Sequence, residues 1–198
     1  MELLQLCALF PSVSEEQLRP VWELIPQATT HPVDQEFWPI TWQGVKLFLP
    51  YRVYFAEPPL VAEQRLTNQQ QQMLQCLYLR HHTGWVRQWR LEQLLRQPGQ
   101  SEAFSVPFIC SLLGDYVKEI LELLAAYVTP QLLAATGKLL HENPRYWQQT
   151  QARVVSYWDA YYRRGRGGAA RFGQYVGAQL LAQLQPMLRP AARTSTFL

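Results

Sequence analysis

From Thr67 onward, apolar residues return every three or four positions along the chain. The pattern is clearest in two consecutive stretches, HHTGWVRQWRLEQLL beginning at His81 and VPFICSLLGDYVKEILELL ending at Leu124. Such spacing puts the apolar side chains on one face of an α-helix, and that face must be covered by other helices. The chain is therefore expected to be mainly α, with its functional surfaces carried on a scaffold of packed helices.

Individual elements follow from the same reading. Thr67 caps a helix through Leu79, with Met73, Leu74, Leu77 and Tyr78 buried and the Gln69 to Gln72 run facing water. Thr83 or Gly84 opens the next, whose stripe is Val86, Trp89, Leu91, Leu94 and Leu95 and whose stop is Pro98-Gly99. Ser105 caps a helix that tolerates Pro107 in its first turn; Gly114-Asp115 bends or ends it, and Val117, Ile120, Leu121 and Leu124 carry the pattern on to Val128. Pro130 starts a further helix. Asn143-Pro144 starts a long one to about Arg164, in which Trp147, Val154, Tyr157, Trp158, Tyr161 and Tyr162 share a broad face. After Gly165 to Gly168, a last helix runs from about Ala170 to Leu188.

The N-terminal part differs. Two short helices, Glu2 to Phe10 and one opened by Ser12 or Ser14 and ending near Ile25, precede a loop from Gln27 to Phe37. PITWQGVKLFLP then reads as a β-hairpin around Gln43-Gly44, with Trp38, Trp42 and Phe48 as its apolar face. Tyr51 to Phe55 either extends the hairpin or starts a short helix. The 198 residues, 48% of them hydrophobic, suffice for one core. The organisation expected is a single domain over 1–198, with residues 1–60 packed on a helical body of 61–190 and a frayed tail at 190–198.

Charge is distributed unevenly. Met1 to Ala62 holds three basic and seven acidic residues, Glu63 to Glu142 seven of each, and Asn143 to Leu198 eight Arg against the single Asp159. Such asymmetry marks either an electrostatic partner or a basic end folded onto the acidic N-terminal part. Cys7, Cys76 and Cys110 stand apart among apolar residues, as free thiols do in a reducing compartment. There is no basic n-region before the short apolar start and no run of about 20 apolar residues, so a cytoplasmic, bacterial-type protein without membrane contact is expected.

Within the helical part, Gly84-Trp85-Val86-Arg87 followed by Leu91, Leu94 and Leu95, then Pro107, Leu112, Leu113 and Asp115, resembles a pair of HEAT-type helical repeats over residues 83–124. The resemblance departs from the family at bulky Leu91, where a small residue is usual, and in the lack of a third repeat. It implies an irregular HEAT-like multi-helix bundle, to which the residues around Gln43-Gly44 add a small N-terminal β-hairpin. Proteins of that kind mostly bind other proteins along a concave face, and a minority grips damaged DNA.

No GxSxG, Walker loop, HExxH or dinucleotide fingerprint occurs, and the Gly-rich GRGG at 165–168 lacks the Lys-Ser/Thr of a phosphate loop. Asp115 and Glu119, four apart, are better read as a helix cap and a solvent-facing acid than as an acid–base pair. No catalytic residue, cofactor or metal is assigned. One candidate place is the junction Arg80, His81 and His82, where adjacent imidazoles sit at a helix end. The stronger one is YWDAYYRRGRGGAAR at 157–171, in which Tyr161, Tyr162, Arg163, Arg164, Arg166 and Arg171 offer guanidinium groups beside aromatic rings. The reading is a non-enzymatic protein-binding module of adaptor or immunity type, its partner another protein; nucleic acid bound through 157–171 is the alternative, and an enzyme with an unrecognised pocket the third.

Overall fold

The structure is a computed structural model that describes residues 1–26, 36–97, 103–164 and 169–188. The expected loop at 27–35, His31, the helix stop at Pro98-Gly99, the Gly165 to Gly168 break with Arg166, and the tail at 190–198 lie outside the described residues. Within them the chain is mainly helical with one two-stranded antiparallel sheet.

Helices α1 (Leu3–Leu9) and α2 (Glu15–Leu24) open the chain, and Ser14 closes a capping box with Gln17 at the start of α2. Strands β1 (Phe37–Trp42) and β2 (Val45–Pro50) follow, paired so that Ile40 faces Leu47 and Trp38 faces Leu49. Gln43 and Gly44 both have positive φ, 52° and 78°, as a two-residue turn of matching twist requires. The inward face is Trp38, Ile40, Trp42, Leu47 and Leu49. Phe48 is not part of it. Pairing across the turn sets Trp42 opposite Val45, so the inward residues of β2 are odd-numbered, and Phe48 lies on the outer face with 52% of its surface exposed.

The chain then leaves the sheet and passes through the short α3 (Leu60–Glu63) to α4 (Asn68–Tyr78), α5 (Gly84–Arg96), α6 (Val106–Cys110), α7 (Lys118–Tyr127), α8 (Pro130–Glu142), α9 (Pro144–Tyr157) and α10 (Val176–Leu184). Thr67 caps α4 as its sequence predicts. The glutamine run does not simply face water: Gln72 is buried, the amide of Gln70 donates to Gln17 O, and that of Gln71 donates to Glu63 O and Leu66 O. These side chains tie α4 to α2 and α3, and α4 in turn packs along α5. Beyond Tyr157, α9 continues as a π-helical turn, Trp158–Tyr162, in which Arg163 N donates to Trp158 O. One core runs through the molecule, from Leu6 and Phe10 past Leu74, Leu91 and Phe108 to Leu139 and Leu184. Among the described residues no single helix is long and apolar enough to cross a membrane.

Candidate interaction surface

The stripe of α5 that should be apolar carries two arginines. Arg87 stands four positions before Leu91 and Arg90 four before Leu94, on the same face, and both are fully buried, as is Arg80. A buried guanidinium is tolerable only when its donors and charge are satisfied. Arg87 meets Asp115 through two parallel bonds and donates from Nη1 to His81 O and His82 O at 2.8 and 3.0 Å. Burial pulls its pKa down, but the charge and hydrogen bonds of Asp115 carry it above the ordinary value. Arg90 is held by Glu63 at 2.7 and 2.8 Å, by Glu57 at 3.0 Å and by Gln75 at 3.3 Å.

Arg80 is different, because it has no carboxylate within ion-pairing distance among the described residues. It donates from Nε to Pro50 O at 2.9 Å, from Nη2 to Tyr51 O, and from Nη1 to Ser111 Oγ at 2.9 Å, and it lies 4.7 Å from the centre of the Trp38 ring. Burial, and secondarily the charge of Arg52, push its pKa down to about 9, so it stays cationic at neutral pH.

Together with its neighbours Arg80 forms a strap. His81 Nε2 bonds Phe55 O at 3.0 Å and Tyr78 Oη donates to Ala56 O at 2.7 Å, so that the end of α4 grips the carbonyls of Pro50, Tyr51, Phe55 and Ala56. Tyr51 N continues the hairpin by one bond, to Glu36 O at 2.8 Å, and from Arg52 to Phe55 the chain leaves β1 and runs on without forming a helix. It meets the α4–α5 junction in one parallel bridge, Val53 to His81. Val53 and Phe55 point inward and are buried, Tyr54 is exposed, and Arg52 is half-buried, its side chain 13% exposed. Tyr54 stacks on exposed His82 at 4.9 Å.

Around Arg52 three parts of the chain converge: this segment, the turn between α6 and α7, and α9 with its π turn. Arg52 lies 4.0 Å from Asp115 and over the ring of Tyr51. Arg153 packs on Gly114, and its guanidinium lies 4.1 Å from the centre of Trp38. Tyr116, Tyr157 and Tyr161 form a ring cluster with centroids 6.0 to 6.5 Å apart. Burial raises the Tyr157 pKa, and the charges acting on that hydroxyl include Arg153, Asp115 and Arg52.

The balance of charge is lopsided. Arg52, Arg80 and Arg87 act on the single carboxylate of Asp115, both of whose oxygens are already taken by Arg87, with Oδ1 also accepting from Val117 N, and Arg153 lies against the adjacent Gly114. Arg153 has no ion-pair partner among the described residues.

No protein-family model, curated protein or solved structure matches the chain. The site therefore rests on its own geometry. Of the residues singled out in the sequence, Tyr161 lies at the edge of this face, 60% exposed, and exposed Arg163, two positions on, pairs with Asp159 one turn before it at 2.8 Å. Arg164 and Arg171 are exposed as well, and Arg166 lies outside the described residues. Tyr162 turns inward, stacks on Tyr175 at 5.1 Å and donates to Tyr116 O. Arg80 and His81 are buried in the strap, and His82 alone of the junction reaches the surface.

What the sequence did not single out is the middle of the face: Tyr51, Arg52, Tyr116 and Arg153. Arg52 lies in a segment without helical period, and Arg153 meets Trp38 only in the folded chain, so neither had a local signal. Arg87 and Arg90 did have one, since their spacing from Leu91 and Leu94 places them on the buried stripe. Among the described residues no three His, Cys, Asp or Glu side chains converge as metal ligands.

Proposed function

We propose that the protein is a non-enzymatic interaction module that holds an acidic segment of another protein on the face formed by Tyr51, Arg52, Tyr116, Arg153, Tyr157 and Tyr161. The observation that supports this is the excess of guanidinium charge over carboxylate just described, set among tyrosine rings on a rigid helical body. Arginine and tyrosine are enriched where proteins meet, because both offer large contact area with polar groups at the end. In this reading Arg163 and Arg164 extend the face along the π turn, the helices serve as a scaffold in the manner of HEAT-like bundles, and the setting is a cytoplasm of bacterial type.

A labelled oligoglutamate peptide tests it by fluorescence polarisation at low salt. Binding should weaken steeply with added salt, fall at least severalfold in Arg153→Gln, and fall further when Arg163 and Arg164 are both changed to Glu, with thermal stability of that double variant within a few degrees of the parent. Unchanged binding in all variants would remove the face from consideration.

Single-stranded nucleic acid is the second reading, favoured by one observation: three clustered tyrosine rings beside arginines are a stacking platform as well as a protein contact. A labelled oligonucleotide titrated in parallel decides between them; binding that tracks phosphate rather than carboxylate, with a log–log salt slope set by the number of phosphates contacted, would replace the first reading with the second.

A further inference from the structure

We propose that the partner segment adds to this face as an extended strand, its backbone pairing with the outer edge of Tyr51 to Phe55; the inference rests on the acidic-partner reading above. In an extended chain the N–H and C=O of one residue point to the same side, and those of its neighbours to the other. Val53 turns both groups toward the α4–α5 junction, donating to Arg80 O at 2.9 Å and accepting from His82 N at 3.0 Å. Arg52 and Tyr54 flank it and so direct their peptide groups the opposite way. Among the described residues, neither their amides nor their carbonyls have a hydrogen-bond partner.

The segment is thus a short strand with one edge closed and one open. The segment is held by the side chains of Tyr78, Arg80 and His81, which bond the carbonyls of Tyr51 and Phe55 within it and those of Pro50 and Ala56 at its two ends, so it is ordered before a partner arrives. Strand addition to such an edge draws affinity from main-chain bonds and selectivity from alternate side chains. Every second side chain of an incoming strand would be laid against Arg52 and the stacked pair of Tyr54 and His82. Among the described residues Arg52 has one acid within ion-pairing distance, Asp115, 4.0 Å away and saturated by Arg87, and Arg153 has none within that distance. The occupant that fits is an extended segment of a partner protein with acidic residues at alternate positions.

The test is a labelled peptide of alternating Glu and Val, compared with two analogues, one N-methylated at every Val amide and one at every Glu amide. Only one of these alternations can face the protein edge. One analogue should therefore lose roughly tenfold or more in affinity, as the removal of two or so backbone bonds implies, while the other binds nearly as the parent does. Equal binding of all three peptides, or equal loss in both analogues, overturns strand addition while leaving the acidic-partner reading in place. Failure of every peptide to bind at low salt overturns both. On the protein side, Tyr54→Pro deletes one of the two unpaired amides, with Tyr54→Phe as its control; the proline variant, checked for an unchanged melting transition, should lose part of the affinity. The analogues, which need no variant, decide the matter if it unfolds.

Discussion

Arg87 reaches Asp115 with two parallel N–H groups, Nε to Oδ2 and Nη2 to Oδ1, each at 2.9 Å, with both side chains buried. The pair joins α5 to the turn before α7, and Asp115 also accepts from Val117 N at 3.0 Å, which starts that helix. Arg87 and Asp115 are the two polar positions of the HEAT-type resemblance. Removing one partner leaves the other charged and dry, so Asp115→Ala should cost about 3–5 kcal/mol in urea denaturation. Arg87→Lys cannot form both bonds and should also destabilise. Arg87→Met combined with Asp115→Leu should recover most of the loss; a double variant as unstable as the worse single one would contradict the role assigned to the pair.

The acids of Arg90 should differ in weight. Glu63 is nearly buried and Glu57 has a side chain 37% exposed, though both bond the same guanidinium. Glu63→Gln is expected to cost about 2 kcal/mol or more, because a charged bond in a dry place is lost. Glu57→Gln should cost about 1 kcal/mol or less, since water screens that side. The ranking is the result to check, by denaturant midpoints of the two variants in one buffer.

His81 makes stability depend on pH in a defined direction. Its Nδ1 accepts the Thr83 amide at 3.1 Å, so the ring proton sits on Nε2 and points to Phe55 O. Burial, with a smaller contribution from neighbouring His82, lowers its pKa below the ordinary 6.5, against the opposing pull of Phe55 O and Glu57. A second proton would remove the acceptor on which the Thr83 amide depends. The neutral ring therefore contributes stability that is fully present above the ordinary value and is lost as pH falls through the lowered one. His81→Gln should flatten this portion of the stability–pH curve; an identical slope in variant and parent would refute the assignment.

Gly177 is a point of close approach. A Cβ there would lie 2.6 Å from Tyr175 Cε1 and 3.0 Å from Val154 Cγ1. Alanine normally helps a helix by about 1 kcal/mol over glycine, but here the ring of Tyr175, only 1% exposed and stacked on Tyr162, has to shift. Gly177→Ala is expected to destabilise by about 1–3 kcal/mol and to change the near-ultraviolet tyrosine signal. A gain in stability would show that the ring moves freely.

Helix positions were legible because period and punctuation agree: Thr67, Ser14 and Pro130 stand at helix starts, and Gln43-Gly44 makes the turn. Phe48 was misplaced because apolar character was read without the pairing that follows from a two-residue turn, which sends even-numbered residues of β1 and odd-numbered residues of β2 to the same side. The candidate surface was half legible. Its edge, Tyr161 and Arg163, lies in one helix and shows in the local text, whereas Arg52, Tyr116 and Arg153 come together only because the strap from α4 fixes where Tyr51 to Phe55 runs. Contacts between segments that distant leave no periodic trace.

The π turn at Trp158–Tyr162 bears on how this helix could be engineered. Such a turn holds one residue more than an α-helical turn, so deleting a single residue within it would restore the regular bond pattern at little backbone cost. It would also rotate everything beyond it by about 100°, carrying the side chains that follow to a different azimuth. The extra residue thus sets the bearing of Arg163 and Arg164 relative to the rest of α9, and a helix shortened by that residue would stay folded while aiming them elsewhere.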